Sequence, residues 1–186
     1  MKILVIETSN DHALLAAIEE NQLVTCTRLP GGPALSNSIA LEMKKILAIC
    51  PFPYHRIVVG IGPGSYTGLR VGMALAQALA LGWAVPIYSV SSLTAFAPDA
   101  PDFAVLVDAR SGGVYIQKNF EPPRLVPLPD ATPFLQDVPL LVSPHPARLQ
   151  QRLPTLQNAS WLETQPNPLL MAHHAAPFHG QLLYLS

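Results

Sequence analysis

The sequence predicts a mixed α/β fold, and three observations carry the prediction. Apolar strand-like runs at 2–7, 13–19 and 22–28 follow one another across short turns. Helical periodicity at 37–50 and again at about 68–81 is separated by the non-alternating run RIVVGI at 56–61. A Pro- and Asp-rich linker, Ala97 to Asp102, then precedes a second pair of strand-like runs.

In chain order, KILVIE at 2–7 reads as a buried strand, and Thr8-Ser9-Asn10-Asp11 as a turn cluster. The runs at 13–19 and 22–28 pair across Glu20-Asn21, so the first three strands form an antiparallel meander. Leu29 to Leu35, with two Pro and two Gly, reads as a loop. The helix at 37–50 places Ile39, Met43, Ile46 and Cys50 on one face and stops at Pro51 and Pro53. RIVVGI suits a strand covered on both faces. A glycine-rich loop, a helix from about Gly68 to Leu81 and a short strand from Val85 to Val90 follow. Beyond the linker, FAVLVD at 103–108 and GVYIQK at 113–118 read as a hairpin. After Phe120 the pattern thins, because most of the 20 prolines lie in the second half. Short strands at 139–142 and 161–163 and helices at about 145–152 and 167–176 fit there, and no internal repeat is visible. The order β-β-β-α-β-α with a closing strand is the ribonuclease-H-like order of each half of actin-like (ASKHA) proteins. By analogy the fold is actin-like with two such lobes, 1–97 and a short, proline-rich 103–186.

Composition narrows the function. Charged residues make up 12% of the chain and apolar residues 49%, so part of the apolar surface is expected to lie against another chain. A net charge of −1 leaves no basic excess to hold a phosphate backbone. Cys26 and Cys50 are expected to be two buried thiols of a reducing compartment. MKILVIETS turns polar by Glu7 and so does not read as a signal peptide. Val71 to Tyr88 is apolar except for Gln77, but it is shorter than the ~20 residues of a spanning helix and Pro86 breaks it. A cytoplasmic protein with no membrane partner is expected.

The most informative stretch is GIGPGSYTGLRVG at 60–72. It joins a strand to a helix through Gly62-Pro63-Gly64-Ser65, where backbone N–H groups and the helix N-terminus could meet an anion. Thr67 is the expected N-cap. Arg70 then sits in the first turn, where the helix dipole disfavours a cation unless a carboxylate or anion lies close. Neither the Walker A pattern nor the dinucleotide glycine spacing is met. A structural turn and an anion contact through Gly62, Gly64, Ser65, Thr67 and Arg70 both stand open. The helix that follows carries Gly68, Gly72, Ala76 and Ala80 at every fourth residue, a bare stripe suited to a partner helix. Ile39, Met43, Ile46 and Met73 complete the expected interface.

ILVIETS, GIGPGSYTGLRVGMALAQALA, VPIYSVSSLTAFA and VDARSGGVY, in that order, resemble the TsaB (YeaZ) family across residues 1–118. The resemblance implies a non-catalytic subunit of the bacterial threonylcarbamoyladenosine synthesis machinery, without cofactor or metal. It implies a TsaD-type transferase as heterodimer partner, a TsaE-type ATPase in the assembly, indirect contact with tRNA, and a homodimer when the chain is alone. Departures include Glu7 where the family usually has Asp, Ser36-Asn37-Ser38 where a histidine is common, and Ser111-Gly112-Gly113 where a Gly-Glu pair is usual. The catalytic paralogue keeps metal-binding histidines on its first helix and after its last N-lobe strand. Here those places hold Ser36 to Ala40 and Ser91 to Ala95, with no imidazole. The competing reading, an actin-class phosphotransferase or peptidase-like enzyme, lacks a complete site.

Other candidates read as structure. His173, His174 and His179 suit a solvated tail. Ser9, Asp11 and His12 suit a turn better than a triad, since no G-x-S-x-G elbow is present. Asp108 and Arg110 are expected to pair at a strand end, and Glu7 stands as a lone carboxylate.

Overall fold

The computed structural model describes residues 1–110 and 112–185. The chain divides into two compact units, Met1–Ser92 with Asn167–Tyr184, and Leu93–Pro166 with residue 185. The linker at 97–102 is therefore not where the units part, and the sequence division at 103–186 differs from the structure at its far end. Residues 167–184 return to the first unit because Phe178 and Leu182 complete its apolar core.

The first unit is built on a six-stranded sheet. Its meander is β1 (Lys2–Glu7), β2 (Leu14–Glu19) and β3 (Gln22–Arg28), antiparallel throughout. Glu20 and Asn21 both take positive φ, the mirror-type turn that suits strand twist. β4 (Arg56–Gly60) and β5 (Ile87–Val90) add in parallel on the other side of β1, and the two-residue β11 (Ala176–Pro177) closes the β5 edge. The order is β11-β5-β4-β1-β2-β3. α1 (Ala34–Ile49) and α2 (Tyr66–Trp83) pack on the face that presents Leu4, Ile6, Leu15, Ala17, Ile57 and Val59. Strand alternation turns Arg56 to the opposite face, where its guanidinium donates to the Ala172 carbonyl of α5 (Pro168–His174) at 3.1 Å. With helices on both faces β1 is buried from Ile3 to Glu7, which explains its lack of alternation.

The second unit repeats the plan. β6 (Ala104–Asp108), β7 (Gly113–Lys118) and β8 (Arg124–Pro127) form a meander, α3 (Leu128–Leu135) leads to β9 (Leu140–Ser143), and α4 (Pro146–Arg152) leads to β10 (Ser160–Glu163). The sheet order β10-β9-β6-β7-β8 matches the β5-β4-β1-β2-β3 of the first unit, strand for strand. No sequence repeat accompanies this. β8 and α3 escape sequence reading because Pro127, Pro129 and Pro133 fall within them; α3 survives Pro133 by being only eight residues long. Its core joins Leu106, Ile116, Leu135, Leu141, Leu149 and Leu153.

Candidate functional site

The glycine-rich loop joins β4 to α2 and lies against the end of β1. Its donors are largely used within the chain. The Ser65 N–H donates to the Ser9 carbonyl at 2.6 Å, and the Gly62 N–H to the Ser92 hydroxyl at 3.0 Å. The Ser65 hydroxyl accepts from the Gly68 N–H at 3.2 Å. Ser65 is therefore the N-cap, two residues before the expected Thr67, because the helix starts at Tyr66. Gly62 combines φ +98 with a close approach of the Leu183 carbonyl, so a side chain there would be both strained and crowded. Of the anion contacts expected from sequence, Gly62 and Ser65 have these donors occupied, Gly64 is half-buried against Ser9, and Thr67 and Arg70 remain exposed. The structural turn thus accounts for most of the loop.

Beneath the loop sits Glu7, fully buried. Its Oε1 accepts the Ser9 N–H at 2.6 Å, while Oε2 has no hydrogen-bond partner among the described residues. The Gly60 backbone presses against Oε2 so closely that any side chain at 60 would overlap it. Burial pushes the carboxyl pKa up, and hydrogen bonds around Ser9 and Ser92 only partly oppose this. The matching position in the second unit is Asp108, at the end of β6. It pairs with Arg152 and with Arg148 Nε, the latter at 2.8 Å, and accepts the Arg110 backbone N–H at 2.8 Å. Asp108 thus meets Arg110 through its backbone N–H and also pairs with α4, whose arginines lie too far along the chain for sequence reading to find. Ser111 lies outside the described residues. Both units therefore end their first strand on a carboxylate held by the chain itself.

The interface residues expected from sequence turn inward. Ile39, Met43 and Ile46 of α1 and Gly68, Gly72, Met73 and Ala76 of α2 are buried, and Ala80 is half-buried. A side chain at Gly68 would strike the Thr8 carbonyl, and one at Gly72 the Thr8 hydroxyl, which donates to the Gly68 carbonyl at 2.8 Å. The bare stripe serves close approach of α2 to the chain's own β1 end. Periodicity reveals the stripe but not its neighbour. The outward faces are apolar as well: Leu41 is 58% exposed, Ile49 61% and Leu81 87%, with Ala40, Ala48, Ala74 and Ala78 also exposed.

The remaining candidates are structural or open to solvent. Ser9 is buried, with its hydroxyl accepting from the Asn10 side-chain amide, and the Asn10 Oδ1 accepts the His12 N–H at 2.8 Å, as a turn requires. His173, His174 and His179 are exposed. Among the described residues no three His, Cys, Asp or Glu come together as a metal-ligand group. Cys50 is buried as expected, but Cys26 is exposed because it lies on the edge strand β3. No helix among the described residues is long and apolar enough to cross a membrane.

The comparisons with known proteins agree with this frame. The family model described as "TsaD: tRNA N6-adenosine threonylcarbamoyltransferase" matches residues 35–126. The chain is 37% identical over 124 residues to the tRNA threonylcarbamoyladenosine biosynthesis protein TsaB of Bacillus subtilis, covering 62% of this chain and 53% of that protein. It is 42% identical over 67 residues to the TsaB of Escherichia coli, covering 33% and 29%. The chain thus spans about half or less of the length of these curated relatives. A Pseudomonas aeruginosa structure described as similar to the peptidase YeaZ superposes with a TM-score of 0.78 at 17% identity, covering 100% of this chain and 99% of that one. YeaZ from Pseudomonas aeruginosa gives 0.72 at 20% identity, covering 92% and 89%. Sequence similarity to TsaB proteins and a fold similar to that of YeaZ together support the TsaB/YeaZ family for this chain.

Proposed function

We propose that the chain is a cytoplasmic, non-catalytic subunit of tRNA threonylcarbamoyladenosine synthesis, and that it docks a TsaD-type transferase through the outward faces of α1 and α2. The observation that carries the reading is the run of solvent-facing apolar residues on those helices, Leu41, Ile49 and Leu81 with four alanines between and beside them. Such a face in a chain with 12% charge is costly to leave in water. Ile39, Met43, Ile46, Gly68, Gly72, Met73, Ala76 and Ala80 act from inside, by fixing the two helices on the sheet.

In this reading the two units are the ribonuclease-H-like halves of an actin-like fold. Glu7 and Asp108 stand at the strand ends where an actin-class enzyme would need free carboxylates. The sealing of Glu7 and the pairing of Asp108 with α4 support a non-catalytic role. The subunit meets tRNA only through the transferase, joins a TsaE-type ATPase in the assembly, and pairs with a second copy through the same helices when alone. The test is titration of the chain with the cognate transferase in a calorimeter. Saturable one-to-one binding that is lost in Ala78→Leu is expected; no binding at high micromolar concentration refutes the reading. The runner-up, a phosphotransferase or peptidase-like enzyme, would be revived by robust turnover in the pure chain that disappears in Glu7→Ala.

A further inference from the structure

At the N-terminal end of α2, three side chains form an exposed cluster. Tyr66 is 57% exposed and Tyr184 50%, and their ring centroids lie 5.2 Å apart. The Arg70 guanidinium sits over the Tyr66 ring at 5.1 Å and donates from Nη1 to the Tyr66 hydroxyl at 2.8 Å. That neutral hydroxyl is its only hydrogen-bond partner among the described residues, which leaves the rest of the fork unused. No acidic residue stands in the first turn of α2. Arg70 is in fact the sole charged residue of the helix, so no carboxylate within the element balances it. Tyr184 is brought here by the returning chain, whose Leu183 N–H donates to the Ile61 carbonyl at 2.8 Å.

The cluster opens directly onto the outward face of α2, where Ala74, Ala78 and Leu81 are exposed. The charges available on the neighbouring helix are Glu42, Lys44 and Lys45, and Glu42 is already bound by Lys45 at 2.7 Å. The combined outer surface of α1 and α2 is therefore cationic around an apolar centre. A second copy of this chain, meeting it helix to helix, brings no free carboxylate on either helix. An RNA would find one cation and no other on α2, too little for a phosphate track.

We propose that Arg70, pre-set by Tyr66 and Tyr184, is the residue that selects the heterologous partner over a second copy. The occupant is a protein segment with an apolar helical face that ends in a carboxylate, received by the open fork of Arg70. This rests on the docking reading above and adds the chemistry of the partner. Exposed Tyr and Arg side chains at the end of an apolar strip are the usual makings of a binding hot spot.

The experiment measures two affinities for each variant: the transferase by calorimetry at two salt concentrations, and self-association by sedimentation equilibrium. Arg70→Ala is expected to weaken transferase binding about tenfold or more and to flatten its salt dependence, with self-association within about twofold of wild type. Tyr66→Phe, which removes only the orienting hydroxyl, is expected to show the same pattern at a few-fold loss. Melting temperatures of both variants should match wild type, since the side chains are exposed. If wild type binds and Arg70→Ala binds equally well, the selection role is wrong while docking stands. If wild type does not bind, the docking reading falls and takes this one with it. Equal losses in both affinities, or a loss seen with tRNA in the absence of the transferase, would also overturn the proposal.

Discussion

Substituting Gly72 by alanine tests which side of α2 is structural. The new Cβ meets the Thr8 hydroxyl well inside van der Waals contact, so the Thr8 side chain must rotate and give up its 2.8 Å hydrogen bond to the Gly68 carbonyl. A buried hydroxyl left unpaired costs about 1–3 kcal/mol. Crowding in a packed site adds about 1–3 kcal/mol. Higher helix propensity returns about 1 kcal/mol. The net loss at mid-range is about 3 kcal/mol; at about 2–4 °C per kcal/mol for a chain of this size, the melting temperature should fall by about 6–12 °C. Gly68→Ala should be worse, because the obstacle is the Thr8 backbone, which cannot rotate away. The counter-variant is Ala78→Leu on the exposed face, which should melt with wild type yet lose transferase affinity by about tenfold or more. Circular dichroism melts and binding titrations on both variants decide the matter. Gly72→Ala with an unchanged melt and impaired binding would mean that the stripe faces the partner after all.

Glu7→Gln should reveal a buried acid that opposes folding as pH rises. Because burial raises the folded pKa above the ordinary 4.5, the native state holds the proton longer than the unfolded chain. Wild-type stability should therefore be favoured below about pH 4.5 and decline as pH climbs toward the raised value. Urea unfolding at pH 5 and pH 8 should show the Glu7→Gln variant gaining on wild type at the higher pH, and a parallel response would refute the assignment. A thiol titration should find Cys26 accessible in the native protein, somewhat slower than a free cysteine because partial desolvation raises its pKa against the pull of Arg28. Cys50 should react only on unfolding, and two equally fast thiols would contradict its burial.

Much of the first sheet was legible because its signals are local. β1 is an unbroken apolar run, Glu20-Asn21 marks a two-residue turn, and Pro51 and Pro53 stop α1 where the chain must turn into β4. The second sheet was half legible, since Pro127, Pro129 and Pro133 mask β8 and α3 although the surrounding burial holds them in place. The site was harder. Periodicity on α2 shows small residues every fourth position but says nothing of what fills the space, and Thr8 does so from far away in sequence. Because α2 is apolar almost all round, its outer face could not be told from its inner one. Likewise Asp108 meets its arginines, and Arg70 its tyrosine platform, through contacts that only the fold creates.

The return of Asn167–Tyr184 to the first unit has a consequence for how the protein is made. Residues 93–166 are synthesised between the two parts of that unit. At roughly 5–20 residues per second, a ribosome needs on the order of several seconds to pass through them. During that interval the nascent first unit holds β1 to β5 but not β11, so the β5 edge stands open and Phe178 and Leu182 are missing from the core. The second unit, whose strands and helices all fall within Leu93–Pro166, can close before the first one does. The emerging chain thus offers an unfinished sheet edge of the kind that chaperones guard, and the arrival of Asn167–Tyr184 is what retires it.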